Sequence, residues 1–312
     1  MDIALIGIPI GIVLLYFGSE WMVDGAKKIA LLLGISPFVI GLTVLAFGSS
    51  APEAITSVVS RGTPSLIVGN VVGSNIANIG LAIGLAAIIC PLACSFKDTK
   101  IEIAAMIISA LMMFVLSLTG TIGFLSGALL TASIFLFVYI VYRLRRDEEH
   151  DEEPEVVNDP LWKCILMTAL GLALLYFGSE AFIGGAKAAA TMLGVSDLLV
   201  GLIVVAIGTS LPELCICLMA AYRRETDLAV SNIVGSNIFN CLFVLGIGAL
   251  LTDIPIADTV MMFHLPVMII MTLIMCAFIY RNDGIGKKAG IFLTAIYVVY
   301  IALIAINPAL TL

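Results

Sequence analysis

Apolar residues run along this chain in stretches of about 18 to 25, each long enough for one helix to cross the hydrocarbon of a bilayer, and polar turns separate them. Ten spans are predicted on this pattern: 3–25, 37–60, 66–90, 101–119, 122–142, 162–186, 197–222, 227–251, 260–280 and 288–307. One long polar segment, RLRRDEEHDEEPEVVNDP at 143–160, divides them five and five. The heptapeptide LLYFGSE at 14–20 returns at 174–180, and GSSAPE at 48–53 returns as GTSLPE at 208–213. The chain therefore reads as two repeats, 1–142 and 161–312, joined by an acidic linker at 143–160. An odd number of spans in each repeat makes the second enter from the side opposite to the first. The fold class expected is an all-α polytopic membrane protein, ten transmembrane helices as two inverted five-helix repeats with broken helices at the centre.

Composition agrees with the pattern. Hydrophobic residues make up 61% of the chain and charged residues 12%, with a mean hydropathy of +1.17, far above a soluble domain. The first apolar run opens on Met1 and Asp2 without a basic segment or a small-residue cleavage site, so it is kept as a span rather than read as a removable signal. Basic residues fix the orientation. With the amino terminus outside, 13 of the 15 Lys and Arg fall on the cytoplasmic side, and only Arg61 and Lys187 remain outside. Both termini are then external and the 143–160 linker is cytoplasmic, in a cell membrane. The net charge of −7 comes from the eight acids of that linker, and what remains carries nothing basic enough for nucleic acid. The linker has no EF-hand spacing and reads as a solvated connection. All seven Cys lie in or beside apolar runs without paired spacing, as buried free thiols do.

Chemistry concentrates where the apolar runs are interrupted. Pro52 and Pro212 lie inside predicted spans, where proline removes a backbone donor and bends or breaks a helix. Gly48 and Gly208 stand just upstream, so the carbonyls of Ala46, Ser49, Ala206 and Thr209 are expected to turn from helix bonding toward a cation. Glu53 and Glu213 follow each proline, with Ser50 and Ser210 three residues earlier on the same face. The next span of each half carries GNVVGSNIANIG at 69–80 and SNIVGSNIFN at 231–240, placing Ser74 with Asn78 and Ser236 with Asn240 at i, i+4. Glycines 69, 73, 80, 235 and 246 let these helices approach their neighbours. A buried carboxylate in lipid is expensive, and two at matching places of a repeat read as functional rather than as braces for a kink. The set is all oxygen, suited to hard cations such as Ca2+ or Na+ and unsuited to Zn2+ or Cu. His264 reads as a hydrogen-bonded core histidine, Cys215 and Cys217 as packing thiols, and Glu20, Asp24 and Glu180 as structural or hinge charges near span ends. There is no HExxH helix and no nucleophile and base pair, so the chain is not read as an enzyme, and no cofactor is expected.

GLTVLAFGSSAPE with GNVVGSNIANIG, and GLIVVAIGTSLPE with SNIVGSNIFN, resemble the paired alpha-repeat signatures of the cation/calcium exchanger superfamily, prokaryotic sodium/calcium exchanger type. The resemblance spans essentially the whole chain. It implies an antiporter that exchanges Na+ for Ca2+ by alternating access, with spans one and six sliding against a fixed core. Carried over by position, it implies a ligand set of Ala46, Ser49, Ser50, Glu53, Ser74 and Asn78 with Ala206, Thr209, Ser210, Glu213, Ser236 and Asn240. Asn240 departs from relatives that hold aspartate there, notably potassium-dependent ones, which implies transport without K+. The alternative is a Ca2+/H+ antiporter using the same carboxylates; proton-coupled relatives usually carry a different stretch where this chain has GSSAPE and GTSLPE.

Overall fold

A computed structural model of the chain describes residues 3–59, 64–145, 157–193, 208 and 210–310. Among the described residues its regular elements are helices and four two-residue strands. A 3₁₀ turn at Ile3–Ile6 leads into α1 (Gly7–Leu33). The apolar helix Pro37–Ser49 is α2, and α3 (Ala51–Val59) follows it after a single residue. Then come α4 (Ser65–Ile89), α5 (Phe96–Ser117), α6 (Phe124–Arg145) and α7 (Leu161–Met192). The remainder is α8 (Leu211–Tyr222), α9 (Thr226–Leu251), α10 (Val260–Asn282) and α11 (Lys287–Ile306).

Eight of these helices are long and apolar enough to cross a membrane, and they coincide with eight of the ten expected spans. The two exceptions are the spans that contain Pro52 and Pro212. The first is interrupted at Ser50, between α2 and α3. The second is described as a helix only from Leu211, and most of its earlier part lies outside the described residues, as does most of the acidic linker.

Burial separates a centre from a shell. Helices α4 and α9 bury 78% and 83% of their most apolar stretch, against 28–44% for the other six long helices. The shell helices keep large apolar side chains such as Leu125, Phe135, Trp162 and Phe177 on the surface, as lipid-facing helices do. Two short antiparallel strand pairs tie connecting turns together. Leu92 in β1 (Leu92–Ala93) pairs with Ile285 in β4 (Gly284–Ile285), and Ile122 in β2 (Thr121–Ile122) pairs with Ile254 in β3 (Ile254–Pro255).

Helices α1 and α7 pack together along their length, and glycine is the reason they can. Gly11, Gly18 and Gly25 on α1, and Gly171, Gly178 and Gly185 on α7, each repeat every seven residues, so each row holds one face. A Cβ at Gly18 would lie 2.8 Å from the Leu175 nitrogen and 2.9 Å from the Gly171 oxygen. At Gly178 it would lie 2.9 Å from the Leu14 Cβ. The pairing of low numbers with high ones makes the helices antiparallel. Backbones at this separation gain dispersion contacts that lipid cannot match, which is how helices associate without a hydrophobic drive. Gly34 ends α1 in the left-handed region at φ 63°, its N–H donating to the carbonyls of Ala30 and Leu31.

Charge gathers at one end of this pair. Lys28 bridges Asp24 at 2.9 Å and Asp159 at 3.0 Å, and Lys163 reaches Asp159 at 2.6 Å. Hydrogen bonds from those two lysines hold the Asp159 carboxyl below its usual range. From the α8–α9 turn, Arg223 pairs with Glu20 and Glu225 pairs with Lys27 at 3.0 Å. Glu20 and Asp24 thus take the structural role expected of charges near a span end.

Candidate functional site

The site begins with two helices that stop and restart. Ser50 has φ −87° and ψ 5°, and Ser210 has φ −90° and ψ 7°, the bridge region between helix and strand. Pro52 and Pro212 fall in the first turn of the restarting helices α3 and α8, where a missing N–H leaves no bond unmade. The same first turns carry Glu53 and Glu213, next to the positive end of each helix dipole. Both carboxylates are wholly buried.

One expectation about these breaks needs correction. Proline at 52 was expected to free the Ala46 carbonyl, yet the Ser50 N–H still donates to it at 3.1 Å and the Ser49 hydroxyl lies 3.4 Å away. The physical reason is register, because the N–H that Pro52 lacks would have gone to Gly48, four residues back. The Ala46 oxygen still has a second lone pair.

Helices α4 and α9 close the site from the other side. Asn78 Nδ2 donates to Asn237 Oδ1 at 3.0 Å, and Asn240 Nδ2 donates to Asn75 Oδ1 at 3.1 Å. These crossed pairs run α4 and α9 antiparallel. They also orient two amides, since Asn78 and Asn240 spend their N–H on a neighbour and leave Oδ1 without a donor. Each helix changes to a π-helical turn at that residue, Asn78–Ile83 in α4 and Asn240–Val244 in α9. Such turns re-aim side chains and recur at functional sites.

Polar contacts join the broken helices to this pair and to each other. Ser50 Oγ donates to Glu213 Oε1 at 2.9 Å, and the Ser49 and Ser236 hydroxyls lie 3.4 Å apart. Both oxygens of Glu53, Oε2 of Glu213, Oγ of Ser210 and the Oδ1 atoms of Asn78 and Asn240 are buried with no protein partner. All six can accept, and among them only the Ser210 hydroxyl carries a hydrogen. A buried carboxylate without a donor is among the costliest arrangements in a fold unless something positive meets it.

Ala46, Ser49, Ser50, Glu53, Ser74, Asn78, Ser210, Glu213, Ser236 and Asn240 are all buried. Ala206 and Thr209 lie outside the described residues. Sequence reasoning missed Asn75 and Asn237, the amides that hold Asn78 and Asn240. They stand in both GSN triplets, and that repetition was the available signal. Among the described residues no three His, Cys, Asp or Glu side chains group as a metal cluster, so the carboxylates stand among hydroxyls and amides. His264 bonds Tyr300 Oη at 2.9 Å and the Leu310 carbonyl at 2.8 Å, a satisfied core histidine as expected. All seven cysteines are free thiols, five buried and two half-buried. A cavity of about 910 Å³ among α1, α2, α6, α7 and α9 is lined by apolar side chains, Thr43, Thr168 and two tyrosines, with no carboxylate.

Comparison with known proteins gives this arrangement a setting. The sodium/calcium exchanger protein family matches residues 3–145 and 163–306. The putative antiporter CaxA of Alkalimonas amylolytica is 39% identical over 260 residues, 80% of this chain and 82% of that protein. The sodium/calcium exchanger MaX1 of Methanosarcina acetivorans is 30% identical over 337 residues, 95% of this chain and 96% of its own. A solved structure of the sodium-calcium exchanger NCX_Mj, soaked with zero Na+ and Ca2+, superposes with a TM-score of 0.86 at 32% identity, covering 97% of this chain and 99% of that one. Helices built for a bilayer, two buried carboxylates at broken helices and this likeness over nearly the whole length lead to one statement: the chain belongs to the sodium/calcium exchanger protein family, whose members are membrane antiporters rather than enzymes.

Proposed function

We propose that this protein exchanges Na+ for Ca2+ across the cell membrane by alternating access. The cations are held at mid-membrane by Ala46, Ser49, Ser50, Glu53, Ser74, Asn78, Ala206, Thr209, Ser210, Glu213, Ser236 and Asn240. The observation that carries the reading is the group of buried oxygens around Glu53 and Glu213 that no protein donor meets. Hard cations take such ligands, Ca2+ with six to eight oxygens at about 2.3–2.6 Å.

Competition at one site produces the exchange. Glu53 and Glu213 together balance one Ca2+, and Na+ ions on the same oxygens balance the same charge, so either cargo crosses with little net buried charge. The empty site keeps two uncompensated carboxylates and does not cross, which suppresses leak. Ser50 joins the first broken helix to the carboxylate of the second, so a cation bound by one half is felt by the other. If more than two Na+ move for each Ca2+, every net charge couples to about 2.3 kcal/mol per 100 mV of membrane potential.

Two inverted five-helix repeats account for the matching parts. The serine breaks are 160 residues apart and the crossed asparagines 162 apart, and the strand pairs exchange under the same offset, Leu92 with Ile254 and Ile122 with Gly284. Thirteen basic residues on one side orient the molecule with both termini outside. A cysteine at Glu152 is expected to react with an impermeant thiol reagent in inside-out vesicles and to be spared in intact cells; labelling from outside would reverse the topology.

The driving ion is tested in proteoliposomes by 45Ca2+ uptake under an imposed Na+, K+ or H+ gradient. Uptake is expected with Na+ and not after a pH jump, and the reverse result would make the protein a Ca2+/H+ antiporter. Asn240 gives a further expectation. A neutral amide there leaves the site with two acids, so Na+-driven flux in K+-free liposomes, with the potential clamped by other means, should match that with K+ present. A strict K+ requirement would show that two carboxylates suffice for K+ coupling.

A further inference from the structure

Asn70 and Asn232 are 162 residues apart, the offset that relates Asn75 to Asn237, and neither belongs to the ligand set above. In both, the amide nitrogen and the amide oxygen are buried without a hydrogen-bond partner in the protein. Asn232 has no exposed surface, while Asn70 is half-buried. Each precedes a serine of the cluster by one helical turn, Asn70 before Ser74 and Asn232 before Ser236, a rise of about 6 Å along the helix. The two helices therefore carry an Asn, Ser, Asn ladder at i, i+4, i+8 on neighbouring positions of one face. Since the crossed asparagines run α4 and α9 antiparallel, Asn70 lies beyond the Asn240 end of the cluster and Asn232 beyond the Asn78 end. One orphaned amide thus stands at each end of the polar core.

We propose that Asn70 and Asn232 are the thresholds of the two access routes, Asn70 on the external side and Asn232 on the cytoplasmic side. Each engages the hydration shell of a Ca2+ or Na+ ion as it sheds water to enter the Glu53 and Glu213 site. An amide fits this task because it donates to nothing essential, accepts from water and presents an oxygen to the cation. It adds no charge, so it does not trap the ion short of the carboxylates. This inference rests on the exchange reading above.

The test uses Asn70→Leu and Asn232→Leu in right-side-out and inside-out vesicles, measuring the Ca2+ concentration that half-saturates Na+-driven 45Ca2+ uptake from each side. Asn70→Leu is expected to raise it about tenfold from the external side with little change from the other, the effect of one lost hydrogen bond of ordinary net strength. Asn232→Leu is expected to do the converse. Both variants should melt in detergent at or above the wild-type temperature, because no protein group loses a partner. Equal shifts from both sides, no shift, or a clear loss of thermal stability would each overturn the assignment. An unaltered protein without Na+-driven uptake would instead sink the exchange reading, a result visible before any variant is made.

Discussion

Glu53→Gln and Glu213→Gln are each expected to abolish Na+-driven Ca2+ uptake while the protein stays folded. A unit charge pair at about 4 Å is worth about 4 kcal/mol at an effective dielectric of about 20, so losing one carboxylate weakens Ca2+ binding by about 1,000-fold. Glutamine keeps the shape and one acceptor oxygen. It also removes a buried charge that meets no protein donor at Glu53 and only the Ser50 hydroxyl at Glu213, so the melting temperature without Ca2+ should hold or rise. Transport within a few-fold of wild type in either variant would remove that residue from the site. Equal loss in both would fit a single site shared by the two broken helices.

The second large effect is expected in the seam between α1 and α7. Gly178→Leu forces side-chain volume against Leu14 and the Leu15 backbone, which lie 2.9 Å and 3.0 Å from the position of a Cβ. Overpacking of this kind costs about 1–3 kcal/mol, more where backbone must move, so melting temperature and yield of folded protein should drop. Gly184 supplies the control. It stands six residues along the same helix with nothing within 4 Å of a Cβ, and leucine there should be tolerated or mildly stabilising through helix propensity. Similar losses in both variants would mean that glycine acts through the helix itself rather than through close approach.

Much of the architecture was legible because lipid imposes a simple rule. A run of about 20 apolar residues has few fates, so eight spans could be read from hydropathy, although the first and sixth run on to Leu33 and Met192, well past the expected ends at 25 and 186. The two spans that contain Pro52 and Pro212 were recognisable as special, and their interruption at serine fell within two residues of the prolines. What hydropathy could not supply was relative placement. The crossing of Asn75 with Asn240 and of Asn78 with Asn237 depends on how α4 slides past α9, and both arrangements have the same sequence. The heptad glycines of α1 and α7 were visible, but their meaning needed the partner helix. Arg223 and Glu20 lie 203 residues apart, and only the folded chain brings them together. The π-turns at Asn78 and Asn240 carry no compositional mark, since they arise from tertiary packing on ordinary helix-forming residues.

Direct Ca2+ binding to the purified protein, titrated calorimetrically in Na+-free buffer and again at rising Na+, tests the shared site without any transport step. One Ca2+ per chain is expected, with an apparent affinity that falls as Na+ rises and binding that disappears in Glu53→Gln and in Glu213→Gln. Ca2+ binding indifferent to Na+, or retained in both variants, would contradict a single site at which the two cations compete.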